Sequence, residues 1–489
     1  MGPGSVPAAA TLRRSASTEV SDAAPSAKPA MTGLVLGLLT GTALLVSFSE
    51  SMLIPALPDI QVQYGASADA VSWVPAIYLL VGAVSVPLFG KLGDVHGKKR
   101  MLVFVMVAYS AAVLLDGFSW NLASLLAFRA VQGLGLAMFP LAISLVNDEM
   151  APSRVPLSVG LLASMNGVGA AVGLILGAAI TQGYGWQTNY HLLTPFAIAL
   201  TILIWLFARE SPQRTTERID VVGVSLLGLA VTMLLVAISE GGVLGWTSAT
   251  TLTLFALGAV FVGVLVIAER RVRGPLIDVH SPHIGGLMKV DFAMLLAGAA
   301  MFMGFYIGIY FAQEPGVGLG RNVEQAGLIL APAAILMLVF APLGARLAQR
   351  VGPKLVELVG AGLVILGFLS YIFLHHSATD IAVASVIVFA GVSFLLTALS
   401  LSILLLSAPE KVGTEMGLNT SFRTIGQAVG VSIAGAFLAS YLIPGTSLPS
   451  DTAYLFIAVV GIVFGALAIA LIATLPALKV TGRMTPVAG

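Results

Sequence analysis

Fourteen runs of mainly apolar residues, each close to 20 residues or longer, divide this sequence between residues 33 and 477. A helix needs about 20 apolar residues to cross the hydrocarbon core of a bilayer, and in lipid it satisfies its own backbone hydrogen bonds. The runs therefore predict fourteen transmembrane helices. They lie near 33–55, 70–90, 101–119, 122–146, 156–181, 191–208, 221–239, 251–268, 292–312, 325–345, 354–375, 381–407, 412–443 and 453–477.

The composition supports an all-α polytopic membrane protein. Of the 489 residues, 58% are apolar and only 10% are charged, whereas about a quarter of a soluble domain is charged. A transmembrane β-barrel would need alternating strands of roughly ten residues, and the sequence contains none. The lack of cysteine excludes disulfides, thiolate metal sites and cysteine nucleophiles.

The lysine and arginine residues predict the orientation. With a cytoplasmic start and an even number of spans, all of the 24 Lys and Arg residues except Arg129, Arg321 and Arg423 fall on the predicted cytoplasmic side. Residues 1–30 lack the apolar core of a cleaved signal peptide and read as a disordered cytoplasmic tail. We expect both termini in the cytoplasm and the protein in the plasma (inner) membrane.

Two distant elements of the sequence recur at nearly one spacing, which predicts two six-helix halves with spans seven and eight inserted between them. The Ala-Pro and glycine pattern around the fifth span returns 257 residues later, and Pro87 to Lys99 returns 255 residues later. We therefore expect a tail at 1–30, a six-helix bundle at 31–210, two linker helices with a cytoplasmic loop at 211–290, a second bundle at 291–478 and a tail at 479–489.

The turn from Pro87 to Leu102 combines glycine, aspartate and three consecutive cations between two spans. Gly90 would permit close helix approach, Asp94 could accept hydrogen bonds from a neighbouring helix N-terminus, and the cations would bind the anionic inner leaflet. This predicts a latch that breaks and reforms between two halves. The alternative is a topogenic cationic turn. The residues concerned are Gly90, Asp94, Gly97, Lys98, Lys99 and Arg100.

These features resemble the major facilitator superfamily, and within it the fourteen-span drug:proton antiporters, along nearly the whole chain after residue 30. The resemblance rests on the turn Gly90-x-Leu92-x-Asp94-x-x-Gly97-Lys98-Lys99, on Trp73-x4-Tyr78-x-Leu80, on Arg129-x-x-Gln132-Gly133-x-Gly135, and on an antiporter-type fifth span with Gly160, Gly169, Gly173 and Gly177. It implies a transporter of two helix bundles that exports drugs against protons, and a role for Arg129 in proton transfer.

The sequence departs from this family pattern at a few positions. Leu174 stands where the antiporter motif has proline, and Ala178 where a second glycine is common. The usual first-span acid would align with Ser49, one position before Glu50, and the second copy of the turn has Gln349 in place of aspartate. The first two departures weaken the inference of export.

Glu50 is the only carboxylate that the predicted spans place well inside the membrane, near the outer end of the first span. A buried carboxylate needs a partner or a cavity and is suited to loading and releasing protons. Glu50 is therefore a candidate for proton coupling or for recognising a cationic substrate, with a structural hydrogen bond as the alternative. Arg129 also requires a partner, for which Glu50 or backbone carbonyls could serve.

Asn166 and Arg423 occupy equivalent mid-membrane positions in the two repeats, where transporters tend to bind substrate. Arg423 would favour a polar or anionic ligand, or it would hold a helix pair together. Tyr306 and Tyr310 could line an adaptable pocket or belong to ordinary helix packing. The fifth-span glycines lie in an apolar helix without a preceding strand, so they indicate helix packing and not a dinucleotide site.

The sequence thus predicts a proton-driven exporter of small amphipathic compounds that works by alternating access. No P-loop, metal cluster or catalytic constellation is present, so we expect no enzyme, no metal, no cofactor and no nucleic-acid partner. The substrate, protons and the bilayer are the expected partners of a monomer. The alternatives are a proton-coupled importer of a polar or anionic metabolite and a non-transporting membrane sensor.

We expect Asp94→Asn to slow transport far more than a substitution of Gln349, because only the first copy of the turn carries a charge that can attract a helix N-terminus. The measurement is the initial rate of substrate transport by each variant at equal expression. Equal effects of the two substitutions would show that the turn is a topological anchor alone.

Overall fold

The computed structural model describes residues 29–150, 155–210, 221–270, 284–407, 412–446 and 448–476. Apart from an isolated bridge between Leu442 and Pro449, the regular structure in these ranges is helical. Most of the predicted tail at 1–30, the whole tail at 479–489, and the loop segments 211–220 and 271–283 lie outside the described residues.

The described ranges contain sixteen α-helices, and the prediction of an all-α polytopic membrane protein is confirmed. In chain order they are α1 (Pro29–Ser51), α2 (Leu57–Tyr64), α3 (Ala68–His96), α4 (Lys98–Asp116), α5 (Leu122–Gln132), α6 (Met138–Glu149), α7 (Val155–Tyr184), α8 (Gln187–Phe207), α9 (Val221–Leu244), α10 (Ala249–Glu269), α11 (Ile284–Gln313), α12 (Val323–Val351), α13 (Pro353–Phe373), α14 (Ala378–Leu406), α15 (Val412–Ser440) and α16 (Asp451–Ala473).

These helices form fourteen spans within the described residues, because two spans consist of two helices each. Helices α1 and α2 continue through a 3₁₀ turn at Ile54–Ala56, and α5 and α6 through one at Gly133–Ala137. Thirteen spans are long and apolar enough to cross a membrane. The fourteenth is α4, whose 19 residues carry charges at both ends.

The matched glycines of the two repeats make the same kind of contact in each half. Helix α7 packs on α1, and α15 packs on α11. A Cβ atom at Gly169 would lie 2.5 Å from the carbonyl oxygen of Leu44, and one at Gly426 would collide with the carbonyl group of Leu295. Small residues therefore bring the two backbones together in both halves, as they commonly do in membranes.

The two halves contact each other along two seams, α3 against α15 and α7 against α12. In the first seam, Gly435 leaves room for Ser72. In the second, a Cβ atom at Gly327 would lie 2.5 Å from that of Ala178. The inserted helix α9 covers the first seam, since it packs against both α3 and α15, and Trp73 Nε1 donates a hydrogen bond to Ser239 Oγ (3.0 Å).

The halves are joined at one end of the molecule. We call the end with the turns at Gly97 and Gly352 the basic face, and the other end the opposite face. At the opposite face Gln313 Nε2 donates to the carbonyl oxygen of Pro55 (2.8 Å), and the backbone N–H of Val323 donates to Gln182 Oε1 (3.2 Å). Both hydrogen bonds link one half to the other.

The helices leave open space nearer the basic face. A Cβ atom built at Gly90, Gly160 or Gly417 would have no atom within 4 Å. The expected close helix approach at Gly90 is therefore wrong for this conformation. The structure has its halves joined at the opposite face, whereas these three helix positions nearer the basic face are unpacked among the described residues.

Two glycines of α15 provide a matched test of this packing. Gly426→Ala would push a methyl group into the Leu295 backbone, and overpacking of this kind costs about 1–3 kcal/mol. Gly417→Ala meets open space and gains helix propensity of up to about 1 kcal/mol. We expect a lower melting temperature for the purified Gly426 variant and no loss for the Gly417 variant. Equal melting temperatures would contradict the α11–α15 contact.

Candidate functional site

A chain of buried polar side chains runs through the first half. Arg129 is 1% exposed; its Nε donates to the carbonyl oxygen of Val74 (3.2 Å) and its Nη1 to Gln132 Oε1 (2.5 Å). Gln132 Nε2 in turn donates to Ser49 Oγ (2.7 Å). The Arg129 guanidinium also lies 4.4 Å from the centre of the Tyr78 ring. An amide, a carbonyl and a ring face thus stabilise the cation inside the membrane.

The glycines beside Arg129 explain how α5 reaches this position. A Cβ atom at Gly133 would lie 2.5 Å from the carbonyl oxygen of Tyr78, and one at Gly135 would collide with the Tyr109 ring. These two glycines let the 3₁₀ turn press against α3 and α4. The turn then holds Arg129 and Gln132 in the interior.

Ser49 and Glu50 point in different directions, since successive residues on a helix are turned by about 100°. Ser49 is fully buried and belongs to the polar chain of the first half. The half-buried Glu50 instead interacts electrostatically with Arg423 of α15 and with Arg129. The carboxylate therefore interacts with cations of both halves.

Glu50 lies in a longer helical segment than the sequence predicted. The first span does not end at residue 55, because α2 resumes after the 3₁₀ turn and extends the helical segment over Gly33–Tyr64, 32 residues in all. Glu50 is near the middle of this segment. The extension leaves the distance of Glu50 from the start of the helix at the basic face unchanged, at about 25 Å.

Glu50 is also not the only buried carboxylate. Asp116 at the end of α4, Asp291 in α11 and Glu357 in α13 are each 0% exposed. Asn419 Nδ2 donates to Asp291 Oδ1 (2.8 Å) and Ser402 Oγ to Glu357 Oε1 (2.5 Å). Sequence reasoning missed them because each lies at or close to the end of a predicted span.

The antiporter-type glycines of α7 divide into two groups. Gly169, Gly173 and Gly177 lie against the backbone of α1, at Leu44, Phe48 and Met52. Gly160 has open space around it. The two departures from the family pattern, Leu174 and Ala178, lie on another side of the helix, because the Leu174 carbonyl and the Ala178 methyl contact Gly327 of α12.

The remaining candidates lie mainly in the second half. Tyr306 and Tyr310 are buried and stacked, with ring centres 5.4 Å apart and hydroxyl groups without hydrogen-bond partners in the described structure. Arg423 is half-buried, and its Nε has no hydrogen-bond partner there either. Asn166 lies on α7, and its side chain is outside the described residues.

The turn at Gly97 involves an acid that sequence reasoning missed. Glu210 Oε1 accepts a hydrogen bond from the backbone N–H of Lys99 (3.1 Å), and Oε2 from that of Arg100 (3.2 Å). The Arg100 Nε atom lies 3.6 Å from Glu210 Oε2. Glu210 therefore caps the N-terminus of α4. Asp94 is half-buried near the end of α3 and also has a polar interaction with another residue.

The second copy of the turn borders an open groove of about 350 Å³ at the basic face of the second half. Gln349, which takes the place of Asp94 there, lines this groove with Thr397, Ser400 and Met416. Helices α12, α14 and α15 form its walls. The groove adds to the open space toward the basic face.

The sequence matches the family model described as Major Facilitator Superfamily over residues 39–431 and again over 292–486. It is 26% identical over 424 residues to multidrug resistance protein Stp of Mycobacterium tuberculosis, covering 84% of this chain and 77% of that protein. It is 27% identical over 414 residues to multidrug resistance protein 3 of Bacillus subtilis, covering 82% and 78%.

The fold is similar to that of a solved bacterial homologue of the human lysosomal transporter Spinster, in an inward-facing and unoccupied conformation. The TM-score is 0.65 at 15% sequence identity, over 91% of this chain and 97% of that one. At this identity the likeness concerns the fold alone.

The cap on α4 can be tested at Glu210. Glu210→Ala removes the acceptor of two backbone N–H groups, and we expect a loss of about 1 kcal/mol, because the group is partly exposed. Hydrogen exchange in the peptide that contains Lys99 and Arg100 should become faster. Glu210→Gln keeps an amide oxygen as acceptor and should have a smaller effect. Unchanged exchange in the alanine variant would contradict the cap.

Proposed function

The chain belongs to the major facilitator superfamily, and from this premise we propose that it exports small amphipathic compounds in exchange for protons. It is a multi-pass membrane protein of a transporter family. Export, proton coupling and alternating access are the parts that we propose.

The position of Glu50 carries the proposal. This carboxylate lies near the middle of the first span and faces a cation, Arg423, that belongs to the other half. A charge pair across the boundary between two moving halves is suited to coupling, because a change in the charge of one member alters the attraction between the halves.

Protonation of Glu50 would cancel its attraction to Arg423 and leave the cation in need of another partner. The ionised form restores the attraction. Arg129 adds a positive charge on the other side of Glu50 and is itself fixed by Gln132 and Val74. In this scheme Glu50 carries the proton, and Arg129 sets the field in which it loads and releases.

The names of the relatives support the substrate class. The matched proteins of Mycobacterium tuberculosis and Bacillus subtilis are named multidrug resistance proteins. Drugs of this kind are usually amphipathic, and the groove toward the basic face has a mainly apolar lining with a few polar side chains, Gln349, Thr397 and Ser400. We therefore favour amphipathic compounds, among them antibiotics, as substrates.

The distribution of charge supports the orientation. Lysines and arginines concentrate at the basic face, which we place in the cytoplasm of a cell with this protein in its plasma membrane. The open space at Gly90, Gly160 and Gly417 would then face the cytoplasm, so that substrate enters from inside. Asp94 and the cations at Lys98, Lys99 and Arg100 would control this entrance. We expect a monomer without a cofactor, driven by the proton gradient.

A second candidate is a proton-coupled importer of an anionic metabolite. The observation in its favour is Arg423, whose Nε is buried without a hydrogen-bond partner in the described structure. However, Glu50 already opposes the charge of Arg423, so an anionic ligand is not required to balance it. Export remains the better-supported function.

The substitution Glu50→Gln tests the proposal. It removes the ionisable group at nearly constant volume, so we expect accumulation of a fluorescent drug in everted vesicles to fall at least about tenfold, corresponding to about 1.4 kcal/mol. Wild-type accumulation should also stop when an ionophore abolishes the pH gradient. Glu324→Gln, on the exposed first turn of α12, is the matched control and should transport normally.

The direction of transport separates the two candidates. Drug accumulation in everted vesicles supports export, whereas uptake of an anionic metabolite by intact cells supports the importer. Normal proton-driven accumulation by a correctly inserted Glu50→Gln variant would refute the assignment of Glu50.

A further inference from the structure

The segment between α11 and α12, residues 313–323, joins the two halves at the opposite face. Its first residue, Gln313, donates to Pro55 of the first half, and its last residue, Val323, donates to Gln182 of the first half. We call residues 313–323 the clasp. Any change that displaces the clasp would release both hydrogen bonds at once.

Glu314 anchors the clasp from within. Its backbone N–H donates to the carbonyl oxygen of Tyr310 (2.8 Å), and its carbonyl oxygen accepts from the backbone N–H of Gly320 (3.0 Å). Gly318 lies so close to Phe311 and Glu314 that a Cβ atom there would collide with the backbone. The clasp is therefore folded tightly over the Glu314 side chain.

The buried Glu314 side chain lacks a hydrogen-bond partner for one of its carboxyl oxygens in the described structure. The residue is 6% exposed, and its Oε1 is buried with no hydrogen-bond partner in the described structure. The Tyr454 hydroxyl group, which interacts electrostatically with both Glu314 and Tyr310, lacks a hydrogen-bond partner there, and so does the hydroxyl group of Tyr310. Such a set of orphaned polar atoms suits a neutral carboxylic acid better than a carboxylate.

The charged and titratable groups around this position do not supply a compensating cation. Tyr310 comes from α11, and Tyr454 and Asp451 come from α16, so these groups are neutral or acidic. His375, at the end of α13, packs its ring against Phe311, with centres 5.6 Å apart. Arg321 lies in the clasp itself, but it is exposed. Burial consequently raises the pKa of Glu314 to about 7.

We propose that Glu314 is a proton-binding site at the opposite face, and that the proton bound there keeps the clasp closed. The inference rests on the proposed proton-driven export and extends it to a second carboxyl group, in the other half from Glu50. Ionisation of Glu314 would leave a charged group whose Oε1 is buried without a partner in the described structure, and this favours displacement of the clasp and loss of the hydrogen bonds of Gln313 and Val323.

The sign of the pH dependence follows from this burial. In the closed conformation the pKa of Glu314 is raised, whereas a hydrated carboxyl group in an open conformation would have an ordinary pKa near 4.3. The closed state therefore binds more protons. It is favoured at acidic pH and loses that advantage as the pH rises through about 7. In an exporter, acid outside would close the outer face and open the inner one to substrate.

The chain has no cysteine, so two spin labels can report the closure without removing native thiols. Tyr184→Cys and Phe373→Cys place labels at exposed ends of α7 and α13, one in each half at the opposite face. Pulsed electron paramagnetic resonance would measure their separation between about pH 5.5 and about pH 8.5. We expect a short distance in acid, and a longer one that appears with a midpoint at or below about 7.

Glu314→Gln mimics the protonated group and should keep the short distance across this range. Glu324→Gln, an exposed carboxyl group just beyond the clasp, should preserve the wild-type midpoint. A wild-type midpoint in the Glu314 variant would overturn the proposal. If that variant failed to insert, the wild-type titration would decide, because a distance that does not change with pH would also overturn the proposal.

The distance measurement needs no substrate and no gradient, so its result does not depend on whether the proposed function is correct. The distance could change with pH through Glu314 while transport does not depend on the pH gradient. That result would refute proton-driven export and leave the proton site in place. Proton-driven export with a pH-independent distance would refute the site alone.

Discussion

A charged side chain inside a membrane must find an opposite charge or a set of polar partners, and this constraint shapes the centre of the protein. Arg129 satisfies it within the first half, through Gln132, a backbone carbonyl and the Tyr78 ring. Glu50 and Arg423 interact electrostatically across the two halves, although Arg423 Nε has no hydrogen-bond partner in the described structure. The first arrangement stabilises one bundle, and the second makes the relation between the bundles depend on charge.

Small residues determine how closely the helices next to these charges pack. Gly169 and Gly426 bring α7 onto α1 and α15 onto α11, so that each half has a close-packed helix pair next to the central charges. At Gly160 and Gly417, nearer the basic face on the same two helices, a Cβ atom would meet no described atom within 4 Å. Each of these helices is thus held firmly along one part of its length and left unpacked along another.

The sequence predicted the fold well because each span is a long apolar run, and the asymmetry of Lys and Arg fixes an even number of crossings. Its error in the first span came from Pro55 and Pro58, which read as a helix end although α2 resumes at Leu57. Proline is well tolerated in the first turn of a helix, and the 3₁₀ turn absorbs the interruption.

The sequence predicted site residues where a charged side chain falls inside an apolar span, as at Arg129 and Glu50. It did not predict them where contacts join distant segments. Glu210 caps a helix that begins more than 100 residues earlier, and no local pattern announces it. The different directions of Ser49 and Glu50 follow from the helix register, but only the packing of α5 shows which of the two side chains faces the interior of the first half. Among the described residues, the inserted helices also treat the two seams differently: α9 lies over the α3–α15 seam, with α10 packed outside it, while no such pair covers the α7–α12 seam. The inserted helices therefore separate one seam, and not the other, from the surrounding lipid.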